Sequence, residues 1–479
     1  MVVFNKREEG TMSIFRRKDL QSLIQQGQQN SGLKRVLGTF DLTLLGIGGI
    51  IGAGIFVLTG IGSLTAGPAL SLAFIVAAIA CAFAALSYAE FASVISVSGS
   101  VYTYTYATMG EFFAWLIGWD LVLEYGLAAS AVSTGWSGYL QSFLSGFGIH
   151  LPMAISAAPG AIPGEITYFN LPAFIIMILI TWLLSIGIRE SARVNNIMVF
   201  IKVSVVLLFI VVGVNYVKPE NWQPFMPYGF DGVFKAAALV FFAYIGFDAV
   251  ASAAEEVKNP AHDLPRGILY SLGICTVLYV IVAAILTGIV PYQQFAGEDH
   301  PVSLALRVAQ QDWVAAFVDI GAVAGMTTVI LVMMYGQIRV FFAMSRDGLL
   351  PPIFSEIHPV HKTPFKATWM IGFMAALVGG FVPLSTLGEL VNIGTLAAFS
   401  LVSLAVLIMR RTHPDLHRAF RCPGVPVVPI LAIAFCVFLM LELQLITWIA
   451  FGVWFLIGLC VYFGYAQRHS LLNKLPAGH

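Results

Sequence analysis

A glycine-rich stretch near the start of the chain is the segment whose residue types point most directly to a binding site. Residues 46–56 read GIGGIIGAGIF and place five glycines within nine positions. This density favours an interrupted helix around residues 50–54, whereas Gly48 and Gly52 alone would equally suit close helix packing. At such a gap, one helix end presents N–H groups with partial positive charge, and the other presents carbonyls with partial negative charge. These ends suit the carboxylate and the ammonium of an amino acid.

Two charged residues lie inside long apolar runs, where a charge at mid-membrane depth costs about 2.5–3.5 kcal/mol even on lenient scales. Lys202 lies in NNIMVFIKVS at 195–204, and Glu124 follows Asp120 by one helical turn in WDLVLEY at 119–125. Each is therefore a candidate functional group. For Lys202 the alternative is a side chain that reaches the membrane surface, and for Glu124 it is a hydrogen bond between helices.

The elements that must position these groups are membrane-spanning helices. Of the 479 residues, 58% are hydrophobic and only 10% are charged, whereas soluble proteins carry about 25% charged residues. Because a helix needs about 20 apolar residues to cross the hydrocarbon layer, runs of that length predict an all-α polytopic membrane protein with about twelve transmembrane helices. The predicted spans are 39–65, 68–95, 112–143, 170–189, 194–217, 234–257, 266–291, 313–345, 366–383, 387–410, 425–442 and 444–467.

Basic residues predict the orientation of these spans, because cytoplasmic loops are enriched in Lys and Arg. Here they cluster before the first span and in the loops that follow the fourth, sixth, eighth, tenth and twelfth spans. The opposite loops hold mainly Lys218 and Arg307, and the long loop 144–169 has none. We therefore expect a multi-pass protein of the cell (plasma) membrane with both termini in the cytoplasm.

A second interrupted helix is predicted in the sixth span, where the aromatic run FFAYIGFD at 241–248 meets one glycine and one acid. This pattern gains weight from its position. If spans one to five and six to ten form two inverted repeats, the first helix of each repeat is broken, which is typical of a substrate site at the membrane midplane.

Three motifs resemble a known transporter family. They are GIGGIIGAGIF at 46–56, FFAYIGFDAVASAAEEVKNPAHDLPRGI at 241–268 and QIRVFFAMSRDGLLP at 337–351. The chain resembles the amino acid–polyamine–organocation (APC) superfamily, most closely bacterial members of its cationic amino acid transporter (CAT) branch, over about residues 35–465.

The resemblance implies a five-plus-five inverted-repeat core in which helices 1 and 6 are discontinuous. It divides the chain into a cytoplasmic N-terminal segment, a first five-helix repeat, a second inverted repeat, two additional helices (11 and 12) and a cytoplasmic tail. The respective ranges are 1–35, 36–217, 218–411, 412–467 and 468–479.

The resemblance also implies the substrate contacts. The carboxylate would meet backbone N–H groups of the first break, and the ammonium would meet carbonyls of both breaks, with Phe242 as an aromatic gate. The N–H donors would be Gly52, Ala53, Gly54 and Ile55. The carbonyl acceptors would be Ile51, Phe242, Ala243 and Ile245.

Proton coupling is the expected source of energy. By analogy with sodium-independent relatives, Lys202 would occupy the place of a sodium ion between helices 1, 5 and 8, near Thr327 and Thr328. Burial disfavours a charged amine, so proton exchange at Lys202 would hold or release the broken first helix. Glu124 is the second proton-coupling candidate.

The substrate is open between two classes. Met333 and Met334 are expected to border the far end of the pocket, where their thioethers would shorten it and favour small neutral amino acids such as alanine. Branch resemblance instead suggests a cationic substrate (arginine, lysine or ornithine), which Asp248 would select if it faced the pocket.

Other classes of protein fit the sequence less well. An amino acid sensor without transport is the alternative, and it would usually add a soluble signalling domain. We expect no catalytic residue, no metal site, no nucleotide motif and no cofactor other than the coupling protons. The zero net charge gives no bulk attraction for nucleic acid. The expected partners are an amino acid and membrane lipids, and the sequence does not indicate whether an accessory subunit is needed.

Overall fold

The computed structural model describes residues 16–18, 37–94, 100–162, 164–187, 192–248, 250, 257–412, 414–416, 418 and 420–473. Most of the predicted N-terminal segment, Arg189 in the loop between the fourth and fifth spans, and the end of the predicted tail lie outside these residues. Within them the protein is built from helices, together with one isolated bridge between Leu37 and Val257.

Within the described residues, sixteen α-helices of four residues or more build the fold. In chain order they are α1 (Thr39–Ile50), α2 (Ala53–Phe56), α3 (Leu58–Ala66), α4 (Leu70–Val94), α5 (Ser100–Thr108), α6 (Glu111–Ser145), α7 (Leu171–Ser185), α8 (Ala192–Gly213), α9 (Gly229–Val240), α10 (Pro260–Ile289), α11 (Pro301–Val308), α12 (Asp312–Arg346), α13 (Phe365–Phe381), α14 (Leu384–Thr412), α15 (Val427–Leu441) and α16 (Leu445–Val461).

The helices agree with the predicted spans. Over the described residues, seven helical segments are long and apolar enough to cross a membrane, and α1, α7, α13 and α15 are shorter apolar helices. One of the seven runs from Leu58 to Phe91, and Gly67, with a φ of 66°, separates α3 from α4 within it. Every predicted span overlaps at least one helix, so the prediction of an all-α polytopic membrane fold is confirmed.

Two long helices form the centre of the fold. Helices α6 and α12 are each 35 residues long, about 52 Å at 1.5 Å per residue, and they pack along one another more extensively than any other pair. They hold the third position in each of the two predicted repeats. The repeat boundaries themselves stay a prediction.

Local sequence explains where several helices begin and end. Asn170 accepts a hydrogen bond from the Ala173 N–H and caps α7. Gly110, with a φ of 101°, precedes α6, whose first turn carries Glu111 where the helix dipole favours an acid. Arg346 lies in the last turn of α12, where a cation is favoured.

Two short helices were not predicted from the sequence. Helix α5 lies on the predicted cytoplasmic side, and α11 lies on the predicted external side with Pro301 in its first turn. Both are too short to give a membrane signal. They lie in the loops that close the site, as described below.

Candidate functional site

The first span is interrupted where its glycines are densest. Helix α1 ends at Ile50, Ile51 and Gly52 are not helical, and α2 begins at Ala53. The last bond of α1 runs from the Ile51 N–H to the Ile47 carbonyl, at 2.9 Å. Because the first N–H groups of a helix have no acceptor in their own helix, the start of α2 presents free donors at this gap.

The sixth span is also irregular at the corresponding depth. Helix α9 ends at Val240, a tight turn covers Phe241–Tyr244, and Ile245 is extended with a ψ of 133°. Gly246 follows with a φ of 120°, a conformation that side-chain-bearing residues rarely adopt. This residue packs directly on the first break, since a Cβ atom at Gly49 would lie 2.8 Å from the Gly246 carbonyl oxygen.

The glycines of the first span serve both of the purposes considered from the sequence. Gly49 and Gly54 allow contact with the second broken helix, and a Cβ atom at Gly54 would overlap the backbone of Ala243. Gly48 instead allows packing on α8, where a Cβ atom would lie 2.8 Å from Val199. Gly49 and Gly54 thus serve the contact between the two breaks, and Gly48 serves the packing on α8.

Tyr279 links the two breaks and was not predicted from the sequence. It is fully buried on α10, and its hydroxyl lies 2.9 Å from the Ile50 carbonyl oxygen and 3.0 Å from the Ala243 carbonyl oxygen. A phenol has one proton to donate, so the two carbonyls share it. An apolar stretch such as YSLGICTVLYVIVAA carries no signal that distinguishes this tyrosine from a packing residue.

A small cavity lies between the two breaks, and its lining has apolar side chains throughout. The lining residues are Gly49, Ile50, Gly52, Ala53, Gly54, Ala128, Val132, Phe242, Ile245, Val329 and Met333. The cavity brings together most of the substrate-binding residues predicted from the sequence, from both broken helices and from α12.

Several predicted residues do not line this cavity. Ile51 and Ile55 are fully buried, and their side chains pack into the core. The Ala243 carbonyl is engaged by Tyr279. Met334 is also fully buried. Its neighbour Met333 is the methionine of α12 that lines the cavity.

Three lining residues were missed from the long central helices. Ala128 and Val132 lie four and eight residues after Glu124, so they share its face of α6. Val329 lies four residues before Met333 on α12. This four-residue spacing from residues already singled out is the signal that could have identified them.

Lys202 lies between the first, fifth and eighth spans, as predicted. It is buried, with a relative exposure of 1%, and its Nζ atom donates to the Gly48 carbonyl at 2.8 Å. Its aliphatic stem runs along Gly325 of α12, where a Cβ atom would lie 2.8 Å from Cγ. The hydroxyls of Thr327 and Thr328 donate to carbonyls of their own helix. The lysine amine is thus attached directly to the last turn of the first half of the broken helix.

Glu124 lies in a group of buried polar side chains beside the second break. It is 2% exposed, interacts electrostatically with Asp248 and hydrogen-bonds with Thr395 of α14. The Tyr125 hydroxyl donates to Asp248 at 3.3 Å. Asp248 is not among the residues that line the cavity in this conformation, so its selection of a cationic side chain stays a prediction.

Polar contacts close the site on its predicted cytoplasmic side. Lys18 forms an ion pair with Asp347 at 2.7 Å, and the Tyr102 hydroxyl donates to the same carboxylate at 2.7 Å. Nearby, Arg410 at the end of α14 pairs with the buried Glu90 of α4, also at 2.7 Å. These contacts tie the N-terminal segment and three spans together.

A second set of contacts closes the predicted external side. Arg307 of α11 pairs with Asp319 of α12 at 3.1 Å, and the Tyr139 hydroxyl donates to the Phe56 carbonyl at 2.6 Å. The described residues therefore form polar contacts between helices on both predicted sides of the site.

The external loop before α11 is expected to loosen as the pH rises. Burial and the neighbouring Glu298 raise the pKa of Asp299 to about 7, whereas burial and Arg307 lower the pKa of His300 to about 4. The ionisation of Asp299 therefore falls near neutral pH, and burial raises the pKa of the adjacent Glu298 as well. Ionisation disfavours the closed loop, so its stability is lost as the pH rises towards 7. After a discount for partial solvent exposure, we expect the loop to open roughly threefold more often at about pH 8 than at about pH 6.

Hydrogen exchange in residues 295–309 measures this effect. The Asp299→Asn variant cannot ionise at this position and is the control. We expect the pH-dependent difference in protection between wild type and variant to disappear below about pH 4, because Asp299 then holds its proton in both the closed and the open loop. Equal protection of the two proteins at all pH values would contradict the role of Asp299.

Comparisons with known proteins agree with this geometry. Residues 37–453 match the sequence profile described as amino acid permease. The chain is 66% identical over 462 residues to the branched-chain amino acid permease BcaP of Bacillus subtilis (strain 168), covering 96% of this chain and 99% of the relative. It is 54% identical over 463 residues to the methylthioribose transporter of the same organism, covering 96% and 100%.

The predicted CAT-branch similarity is also found. The vacuolar cationic amino acid transporter 4 of Arabidopsis thaliana is 38% identical over 411 residues, which cover 84% of this chain and 68% of the relative. The three relatives are named as transporters or permeases, and none as an enzyme.

Proposed function

Since this chain belongs to the amino acid permease family, we propose that it imports branched-chain L-amino acids across the plasma membrane by proton-coupled alternating access. Membership confirms the predicted APC-superfamily relationship, and amino acid transport by a multi-pass membrane protein follows from it. The preference for branched side chains, the coupling to protons, the cytoplasmic termini and the direction of transport are the proposal.

The apolar lining of the cavity is the observation that carries the substrate preference. Beyond the two backbone breaks, the side chain of a bound amino acid would meet Ala128, Val132, Val329 and Met333. Transfer of a leucine or isoleucine side chain from water to such surroundings is favourable by about 1.5–3 kcal/mol. A guanidinium or ammonium group would lose its hydration there without an acceptor on a lining side chain.

The name of the Bacillus subtilis relative, a branched-chain amino acid permease, supports the same preference. It also extends the expectation from small neutral substrates such as alanine to larger apolar ones. The CAT relative favours a cationic substrate, but the absence of acidic side chains from the described lining weighs against it.

A second candidate substrate is methylthioribose, because a relative of 54% identity is named as its transporter. This sugar is neutral and has neither a carboxylate nor an ammonium. It would therefore leave unused the two oppositely polarised helix ends at the breaks, which is why we place it second.

Lys202 and the first broken helix would provide the coupling. Protonated Lys202 donates to the Gly48 carbonyl and so holds the end of α1. Loss of the proton would remove this charge-assisted bond and free α1 to move as the cytoplasmic side opens. Re-protonation would restore the closed arrangement.

Uptake into sealed proteoliposomes tests the proposal. Labelled L-leucine should accumulate when the external solution is more acidic than the lumen, and accumulation should stop when an ionophore collapses the gradient. Unlabelled isoleucine and valine should compete, whereas arginine and methylthioribose should not. Accumulation that is indifferent to the pH gradient would contradict the coupling, and competition by methylthioribose alone would contradict the substrate class.

A further inference from the structure

We propose that Asp120 is a second proton carrier, which exchanges a proton with Glu124 on the cytoplasmic side of the cavity. This inference rests on the proton coupling proposed above. It adds a residue, and a direction of proton movement, to that mechanism.

The position of Asp120 on α6 places it in line with the site. Asp120, Glu124, Ala128 and Val132 follow one another at intervals of four residues, so they form a stripe along one face of the helix. The last two line the cavity, and Glu124 lies one turn before Ala128. Asp120 is one turn further towards the start of α6, about 14 Å along the axis from Glu111.

The carboxyl group of Asp120 has an unusual environment. It is 0% exposed, yet neither of its oxygens has a hydrogen-bond partner. Gly394 of α14 leaves room for the carboxyl group, since a Cβ atom at this glycine would lie only 2.9 Å from the Asp120 Oδ1 atom. The adjacent Thr395 contacts Glu124, so both acids of α6 point at the same site on α14.

Other buried acids in the described chain have the partners expected of structural groups. Glu90 accepts bonds from Arg410 and from the Cys422 N–H. Glu111 accepts bonds from the hydroxyls of Tyr106 and Tyr462. Asp120 has no such donor, so it does not serve to tie elements together.

The missing donors determine the chemical state of Asp120. An isolated carboxylate buried without a donor is strongly disfavoured, and the neutral acid is the form that such a site tolerates. The titratable groups that act on the Asp120–Glu124 pair are Asp248 and Tyr125 beside the second break, and both interact with Glu124. Two neighbouring acids in one apolar site carry at most one negative charge between them, because the charge of one disfavours ionisation of the other.

The proton transfer between Asp120 and Glu124 conserves both atoms and charge. When the cytoplasmic side opens, water reaches Asp120 before Glu124, and the neutral Asp120 gives its proton to that water and is left as a hydrated carboxylate. A proton then leaves the carboxyl of Glu124, passes through the water to the Asp120 carboxylate and restores the neutral acid, and Glu124 is left as the carboxylate. Water is the only other participant.

Two assays on one preparation test this role. Counterflow exchanges labelled for unlabelled leucine without net proton movement, whereas accumulation depends on the pH gradient. For Asp120→Asn, we expect counterflow within about twofold of wild type and gradient-driven accumulation reduced by at least about tenfold. Substrate-induced alkalinisation, read by a trapped pH dye, should fall in parallel.

The controls separate the possible outcomes. Glu389→Gln alters a carboxyl of α14 that bonds Gln444 and Thr447, and it should retain both activities. Asp120→Ser is carried in parallel in case asparagine disturbs packing against Gly394. Coupled accumulation in both Asp120 variants, or loss of counterflow together with accumulation in both, would overturn the role of Asp120. A wild-type protein that ignores the gradient would instead contradict the proposed function.

Discussion

Gly54→Ala is expected to reduce leucine uptake to below about 1% of wild type, because it separates the two broken helices. The added methyl group would overlap the backbone of Ala243, and no flexible side chain there can yield. The helix that carries the N–H donors would have to move away from the carbonyls of the second break. A displacement of about 1 Å at a site of this kind costs on the order of 100-fold in activity.

Initial uptake rates in proteoliposomes measure this effect, with Gly388→Ala as the matched control. Gly388 lies on α14, where the nearest atom to an added Cβ is 3.9 Å away, so this variant should transport normally. Both variants should elute as monodisperse protein. Normal uptake by Gly54→Ala would show that the two breaks need not touch.

Lys202→Met should abolish accumulation against a gradient. Methionine retains much of the apolar stem that packs on Gly325 but removes the donor to the Gly48 carbonyl. Without an exchangeable proton at this position, the pH gradient has no means to bias the conformation of α1. We expect the ratio of internal to external leucine to fall from well above one to about one, which corresponds to complete loss of coupling.

Lys235→Met is the control for this substitution. Lys235 is an exposed lysine of α9 that pairs with Asp231, so its loss should leave accumulation unchanged. The measurement is the steady-state leucine ratio with an acidic exterior. A Lys202→Met protein that still concentrates leucine would rule out this lysine as the coupling group.

The large features of the fold could be predicted from the sequence because the bilayer imposes them. A run of about 20 apolar residues has few outcomes other than a spanning helix, and the predicted spans overlap helices throughout. The density of glycines in residues 46–56 likewise predicts the interruption of the first helix. Lys202 was identified because a charge in an apolar run is costly.

The rest of the site depends on contacts between distant segments, which a single sequence does not encode locally. Tyr279 reaches both breaks only through the packing of α10. Lys18 meets Asp347 across 329 positions of the chain, and no pattern connects them. The same limit applies to Ile51 and Ile55, because the sequence points to their backbone groups at the break and carries no signal for how their side chains pack.

The orphaned carboxyl of Asp120 could not be inferred from sequence either. From the sequence it was only the neighbour of Glu124. Its significance comes from what surrounds it, namely Gly394 in place of a donor.

The central claim is that the two breaks bind both ends of one zwitterion, and titration calorimetry with purified protein tests it most directly. L-Leucine is compared with L-leucinol, which lacks the carboxylate, and with 4-methylpentanoate, which lacks the ammonium. Each analogue should bind at least about 100-fold more weakly than leucine, since each loses a charge-assisted set of bonds. Binding of either analogue with an affinity within about threefold of that of leucine would contradict the claim.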